Sequence, residues 1–226
     1  MIEYTTLFLD VDNTLLDFNK AEAHAVYRVL KEHNLPCDEE AIKLYSDINL
    51  SFWKRFERGE IERDMIFESR FRVFLEHYNA TGDVSAISDR YCANLADEFF
   101  TVDGAKELLK YLKDKGYKLY ATTNGFAKTQ FNRIRGAGLE PFFDKIFISE
   151  DARHQKPDKE YFDFVISGIP EKNITKMLII GDSQSSDILG GINSGIDTCW
   201  YNPHGSKAKY QSKYTVTRLS QIKKIL

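Results

Sequence analysis

The chain has 226 residues, 42% of them hydrophobic and 13% aromatic, which is enough for one large domain or a core domain with an insertion. Its formal net charge of −3 gives no electrostatic reason to expect a nucleic acid or membrane partner. The three cysteines lack CxxC spacing, which is typical of free thiols in a reducing compartment. No run approaches the ~20 apolar residues of a membrane span, and the first residues lack the positive charge of a signal peptide. We therefore expect a cytoplasmic protein.

Short apolar segments of β type alternate with amphipathic stretches of helical length along most of the chain. Strands are predicted at residues 6–9, 118–122, 145–148, 176–180, 196–201 and 214–217. Helices are predicted at residues 104–116, 158–167 and 184–193. Apolar strands separated by such helices are typical of a parallel sheet that is covered on both faces. We therefore predict an α/β fold with a Rossmann-like parallel sheet.

Residues 18–96 interrupt this alternation, because their apolar residues recur only at helical spacing. We interpret this stretch as a helical insertion between the first strand and the rest of the sheet. The predicted domains are an α/β core, formed by residues 1–17 and 97–226, and a helical domain at residues 18–96.

Acidic and other polar side chains follow the predicted strands. They are Asp10 and Asp12 after the first strand, Thr123 and Asn124 after the second, Lys156 after the third, and Asp182 and Asp187 after the fourth. Each of them alone is more typical of a turn, a helix N-cap or a solvated charge. Ligands of open α/β sheets bind at the carboxyl ends of the strands, so we expect these side chains to meet in one crevice. Their combination indicates a functional site.

The charges of this set indicate a cation and an anionic ligand. Four carboxylates and one lysine sum to a formal charge of −3, which is unstable without a cation. Oxygen ligands suit Mg²⁺, which commonly shares its coordination shell with a substrate phosphate. Transfer of a phosphoryl group depends chiefly on positioning and charge neutralisation. An ionised carboxylate beside the metal suits a nucleophile, and a second carboxylate away from it suits proton transfer.

These residues resemble the haloacid dehalogenase-like phosphatases. The matching motifs are "DVDNT", "TTN", the lysine of "KPD", and "GDSQSSD", and the helical insertion is similar to the cap of that family. The resemblance implies that the α/β core is catalytic. It also implies that Asp10 is both a metal ligand and the nucleophile that forms an aspartyl-phosphate. Asp12 would be the general acid/base, and its main-chain carbonyl would bind Mg²⁺. The remaining implied roles are phosphate binding by Thr123 and Asn124, charge neutralisation by Lys156, and metal binding by Asp182 and Asp187.

The resemblance also separates branches of the family. Haloacid dehalogenases proper lack the second aspartate, so the presence of Asp12 implies a phosphatase. Residues 12–18, 122–125 and 181–203 are most similar to the pyrimidine 5′-nucleotidase branch. The resemblance therefore implies a Mg²⁺-dependent phosphoric monoester hydrolase that acts on small phosphate esters, most of all pyrimidine nucleoside 5′-monophosphates.

Other functions remain open at this point. Phosphosugar mutases share the Asp-x-Asp pair, so a mutase or a sugar phosphatase is an alternative. A phospho-accepting receiver module also places acids, a hydroxyl and a lysine around Mg²⁺. Receivers, however, carry the acceptor aspartate on a middle strand and have no helical insertion.

Aromatic residues of the helical insertion allow two interpretations. Phe52, Trp53 and Phe56 could stack on a nucleobase, or they could pack between helices. We favour packing, because their spacing is helical.

Overall fold

The computed structural model describes residues 4–226. Residues 1–3 lie outside this range. They are part of the predicted core segment 1–17 and of the N-terminal stretch for which we predicted no signal peptide. The chain divides into two compact units. One unit contains the described residues up to Asp17 together with Thr101–Leu226, and the other is Phe18–Phe100. The helical unit thus ends at Phe100, whereas we predicted its end at residue 96.

A six-stranded sheet forms the centre of the first unit. Its strands are β1 (Thr6–Asp10), β2 (Lys118–Thr123), β3 (Lys145–Ile148), β4 (Met177–Gly181), β5 (Asp197–Tyr201) and β6 (Tyr214–Val216). Their order is β3-β2-β1-β4-β5-β6, and all neighbouring pairs are parallel. The predicted α/β, Rossmann-like fold class is confirmed.

Helices make up the second unit and connect the strands of the first. The second unit contains α1 (Phe18–Glu32), α2 (Glu39–Glu57), α3 (Arg63–His77) and α4 (Val84–Ala96). The first unit contains α5 (Ala105–Asp114), α6 (Ala127–Gly136), α7 (Ser149–Ala152), α8 (Lys159–Ser167) and α9 (Leu189–Ser194). None of the helices within residues 4–226 combines the length and the apolar character that crossing a membrane requires.

Alternation along the strands builds one apolar layer on each face of the sheet. Leu7 and Leu9 of β1 belong to a buried cluster that contains Leu108 of α5. Phe8 belongs to a different buried cluster and packs against Phe162 of α8, with the ring centroids 6.4 Å apart. The sheet is therefore buried on both faces, as its apolar strands predict.

The order of the strands creates a crevice beside β1. The chain runs outward from β1 through β2 and β3, and then returns to the other side of β1 to form β4. At such a reversal the connections leave the two flanking strands in opposite directions, and a crevice forms outside the carboxyl ends of these strands. Asp10 is the last residue of β1, and Asp182 directly follows β4.

Two aromatic residues of α2 lie in the core of the helical unit. Phe52 and Phe56 are 7% and 5% exposed, and they pack with Ile61 and Ile66. Trp53 is partly buried against the same cluster, and its ring centroid lies 5.9 Å from that of Phe56. These contacts support packing as the function of the three aromatic side chains.

We predict that Phe56→Ala lowers the free energy of unfolding by about 3 kcal/mol, because it leaves a cavity in this cluster. Leu50→Ala is the matched control, since Leu50 lies on the same helix and is 51% exposed. We expect the control to stay within about 0.5 kcal/mol of the wild type. Urea denaturation measures both, and equal stability of the two variants would contradict the packing interpretation.

Candidate active site

Lys156 is a buried cation between two carboxylates. It is 1% exposed, and its Nζ donates to Asp10 Oδ1 and to Asp187 Oδ1, each at 2.7 Å, and to the Thr122 carbonyl at 3.0 Å. All three ammonium protons therefore have acceptors. Burial acts to lower the pKa of Lys156, but the charges of Asp10 and Asp187 outweigh it and raise this pKa. Lys156 therefore stays charged at neutral pH.

Three carboxylates meet at the crevice. Asp10, Asp182 and Asp187 each place one carboxylate oxygen within 4.8 Å of the others. Burial, and then the charge of Asp187, raises the pKa of Asp10 to about 7. Burial, and then the charge of Asp10, raises the pKa of Asp182 well above its usual value. Since one lysine faces three acids, negative charge is in excess, and oxygen ligands in this setting fit a divalent cation such as Mg²⁺. The three residues could therefore hold a metal.

Thr14 connects the ends of β1 and β4. Its side chain is fully buried, and its Oγ1 donates to Asp10 Oδ2 at 2.8 Å and accepts from the Asp182 backbone N–H at 3.1 Å. The indole N–H of Trp200, on β5, donates to the Asp182 carbonyl at 2.8 Å. These contacts orient two of the three clustered acids. Thr14 lies inside the quoted motif "DVDNT", but we assigned it no function from the sequence.

β4 ends on a glycine for a steric reason. A Cβ on Gly181 would lie 2.2 Å from Asp187 Oδ2, closer than any real contact. Asp187 is fully buried, in a π-helical turn at Gln184–Ile188, and its Oδ2 accepts from the Ser183 N–H at 3.1 Å. Only glycine at position 181 leaves room for this carboxylate.

Asn124 links two loops of the site. Its Nδ2 donates to the Lys156 carbonyl and its Oδ1 accepts from the Lys156 N–H, both at 2.9 Å. The Asn124 side chain therefore positions the backbone that carries the buried lysine. Thr123 is 1% exposed, and its Oγ1 accepts from the Gly125 N–H at 3.1 Å. Phosphate binding by Thr123 and Asn124 stays a prediction.

Asp12 has different partners from Asp10. Gln130 Nε2 donates to Asp12 Oδ2 at 2.9 Å, and the Arg133 guanidinium forms an ion pair with Asp12 Oδ1. The Arg133 side chain is fully buried, whereas that of Asp12 is 27% exposed. Gln130 and Arg133 lie on α6, a helix that we did not predict, and we assigned neither residue a role from the sequence. The two acids of the first motif thus occupy distinct environments.

An α/β sheet with clustered aspartates and a buried lysine at its reversal point is typical of proteins that bind an anionic group together with a divalent cation. The family model of haloacid dehalogenase-like hydrolases matches residues 7–201. The chain belongs to this family and is a hydrolase, as the motifs predicted.

Relatives within the family include nucleotidases. The chain is 41% identical over 203 residues to the HAD-hydrolase YfnB of Bacillus subtilis, covering 90% of this chain and 86% of the relative. It is 39% identical over 213 residues to the pyrimidine 5′-nucleotidase PynA of Streptococcus pneumoniae, covering 94% and 90%. It is 27% identical over 227 residues to the pyrimidine 5′-nucleotidase YjjG of Escherichia coli, covering 100% and 99%. These relatives confirm the predicted resemblance to the pyrimidine 5′-nucleotidase branch.

A solved structure matches this chain over nearly its full length. The crystal structure of Bacillus subtilis YfnB bound to magnesium matches with a TM-score of 0.94 at 38% identity, and the match covers 99% of both chains.

We predict that Lys156→Met lowers the free energy of unfolding by about 3–5 kcal/mol, because it leaves buried carboxylates without their cation. Lys159→Met is the matched control, since Lys159 is 56% exposed and pairs only with the exposed Asp163 in the described structure. Urea denaturation in the presence of a chelator compares the two variants. A loss no larger in Lys156→Met than in the control would contradict the importance of the buried ion pairs.

Proposed function

We propose that this chain hydrolyses small phosphate monoesters, most of all pyrimidine nucleoside 5′-monophosphates, with Mg²⁺ and through an aspartyl-phosphate on Asp10. The chain is a phosphoric monoester hydrolase, and the substrate, the metal and the intermediate form the proposal. One observation carries it: the buried Lys156 binds both Asp10 and Asp187 beside Asp182.

Asp10 supplies the attacking oxygen. Lys156 and Thr14 each bind one of its carboxylate oxygens, so the side chain is held at the end of β1 before any substrate arrives. Attack on phosphorus forms a bond to Asp10 and breaks the bond to the leaving oxygen, which departs with its electron pair. Preorganisation of this kind removes an entropic part of the barrier.

Asp12 carries the protons. In the first half-reaction its carboxyl group gives a proton to the leaving oxygen, which becomes the hydroxyl of the nucleoside. In the second half-reaction its carboxylate takes a proton from the water that attacks phosphorus, and the bond between phosphorus and Asp10 breaks. The cycle consumes one ester and one water, releases an alcohol and inorganic phosphate, and restores both carboxyl groups.

The charged groups around Asp10 support binding of a phosphate ester. Asp10, Asp182 and Asp187, with the Asp12 carbonyl, would hold Mg²⁺. When bound, this ion supplies positive charge that favours the ionised form of the carboxylates and offsets the negative charge of the phosphate. Lys156 adds a second positive charge. The Thr123 hydroxyl accepts hydrogen bonds in the structure and keeps its own proton to donate to a phosphate oxygen.

The comparisons support the nucleotide substrate and the metal. PynA and YjjG, both named pyrimidine 5′-nucleotidases, match 94% and 100% of this chain. The solved YfnB structure is bound to magnesium. A cytoplasmic location remains part of the proposal, together with a small-molecule phosphate ester as the partner.

We predict that release of phosphate from uridine 5′-monophosphate stops when a chelator removes the metal and resumes when Mg²⁺ is added.

We also predict that Asp10→Asn abolishes this release, because an amide does not replace the carboxylate nucleophile. Asp163→Asn is the control, since Asp163 is exposed and pairs with Lys159. Undiminished turnover in Asp10→Asn, measured by phosphate release, would rule out the proposed nucleophile.

We predict that pyrimidine nucleoside 5′-monophosphates exceed purine nucleotides and hexose phosphates in kcat/KM by about ten-fold or more, the selectivity that a few pocket contacts can supply. A panel of phosphate esters with a colorimetric phosphate assay measures this preference. β-Glucose 1-phosphate with a bisphosphate primer tests the mutase alternative. Isomerised sugar phosphate with little free phosphate would favour a mutase over the proposed hydrolase.

A further inference from the structure

The acid/base candidate Asp12 is held by two side chains of α6. Arg133 pairs with one carboxylate oxygen, and Gln130 donates to the other at 2.9 Å. Since one donor binds each oxygen, both the direction of the side chain and the plane of its carboxyl group are fixed. Asp12 is also absent from the group of acids that the described residues bring together at the crevice.

Gln130 has every polar atom of its side chain engaged. Its Nε2 donates to Asp12 Oδ2 and also, at 2.7 Å, to Thr123 Oγ1. Its Oε1 accepts from Arg133 Nη1 at 3.1 Å. Gln130 therefore joins the proton-transfer candidate Asp12 to the phosphate-binding candidate Thr123.

Gly125 makes room for this arrangement. A Cβ at position 125 would lie 2.7 Å from both Cγ and Cδ of Gln130. The φ angle of Gly125 is not in the left-handed region, so its backbone conformation does not require glycine. The glycine of "TTNG" is needed because Gln130 passes directly over it.

A contribution to folding stability does not explain why an arginine is buried at position 133. A guanidinium with a fully buried side chain is costly to desolvate, and a buried ion pair usually contributes little net stability compared with apolar side chains of similar volume. The ion pair of Arg133 is with an acid at the site.

We propose that Arg133 and Gln130 are positioning residues that hold Asp12 in the orientation for proton transfer to the leaving oxygen. This inference rests on the proposed function, because it assumes that Asp12 is the general acid. Proton donation matters for a poor leaving group such as a nucleoside 5′-oxygen. It matters little for 4-nitrophenolate, which is stable as an anion near neutral pH.

The test compares kcat/KM for uridine 5′-monophosphate and 4-nitrophenyl phosphate in the wild type and in Arg133→Met. The constant kcat/KM covers the steps up to departure of the leaving group, so it isolates the first proton transfer. We expect a loss of about 10- to 100-fold with the nucleotide, within the range of general acid catalysis. We expect a loss of less than about three-fold with 4-nitrophenyl phosphate.

Further variants keep the test independent of folding defects. Gln130→Met removes the second donor, and Gly125→Ala displaces Gln130 without removing any polar group. Because Gln130 also binds Thr123, we expect both variants to lose activity with each ester, and to lose a larger factor with the nucleotide. Arg135→Gln is the matched control, because Arg135 lies on α6, is 67% exposed and pairs with Glu140. We expect no change in the ratio of the two kcat/KM values in this control.

Failure of the inference is distinguishable from failure of the proposed function. If the wild type hydrolyses neither ester, the proposed function is wrong. If the wild type is active and the α6 variants lose the same factor with both esters, or lose nothing, Arg133 and Gln130 do not position Asp12.

Discussion

The pairing of buried Lys156 with Asp10 and Asp187 is the interaction on which the rest of the site depends. The three residues come from separate parts of the chain and meet at the reversal point of the sheet. Buried carboxylates this close together repel one another, and the lysine is the cation that compensates them in the described structure. Asn124 holds the backbone of Lys156, so a loop after β2 sets the position of the charge.

The two acids of the first motif, Asp10 and Asp12, are held by side chains from different parts of the fold. Asp10 ends strand β1, where Thr14 and Lys156 bind its carboxylate oxygens and where Asp182 and Asp187 lie close by. The carboxylate of Asp12 is bound by Arg133 and Gln130 of α6. The separation suits a mechanism in which one carboxylate attacks phosphorus and the other moves protons.

The sequence was sufficient to predict the sheet and the clustered acids of the site, but not the side chains that hold them in place. Apolar strands followed by acidic residues were sufficient to predict the sheet and to predict that Asp10, Asp182 and Asp187 lie together at one of its edges. These predictions succeed because parallel strands end at one edge, whatever the detailed packing is.

The missed residues share a physical reason. α6 reads "AKTQFNRIRG", with Gln130 and Arg133 on its buried side, so apolar periodicity does not reveal it. The contact of Arg133 with Asp12 spans 121 positions of sequence, and nothing local in either segment indicates it. The link between Asn124 and the Lys156 backbone is of the same kind.

The central claim is that Asp10 becomes phosphorylated during turnover. The most direct measurement mixes Asp12→Asn with 4-nitrophenyl phosphate and Mg²⁺, quenches the reaction in acid, and maps the phosphoryl group by mass spectrometry. The proposed mechanism predicts a phosphoryl group on the peptide that contains Asp10, because the leaving group needs no proton and the second half-reaction is slowed. Release of 4-nitrophenolate without any phosphorylated peptide would contradict it.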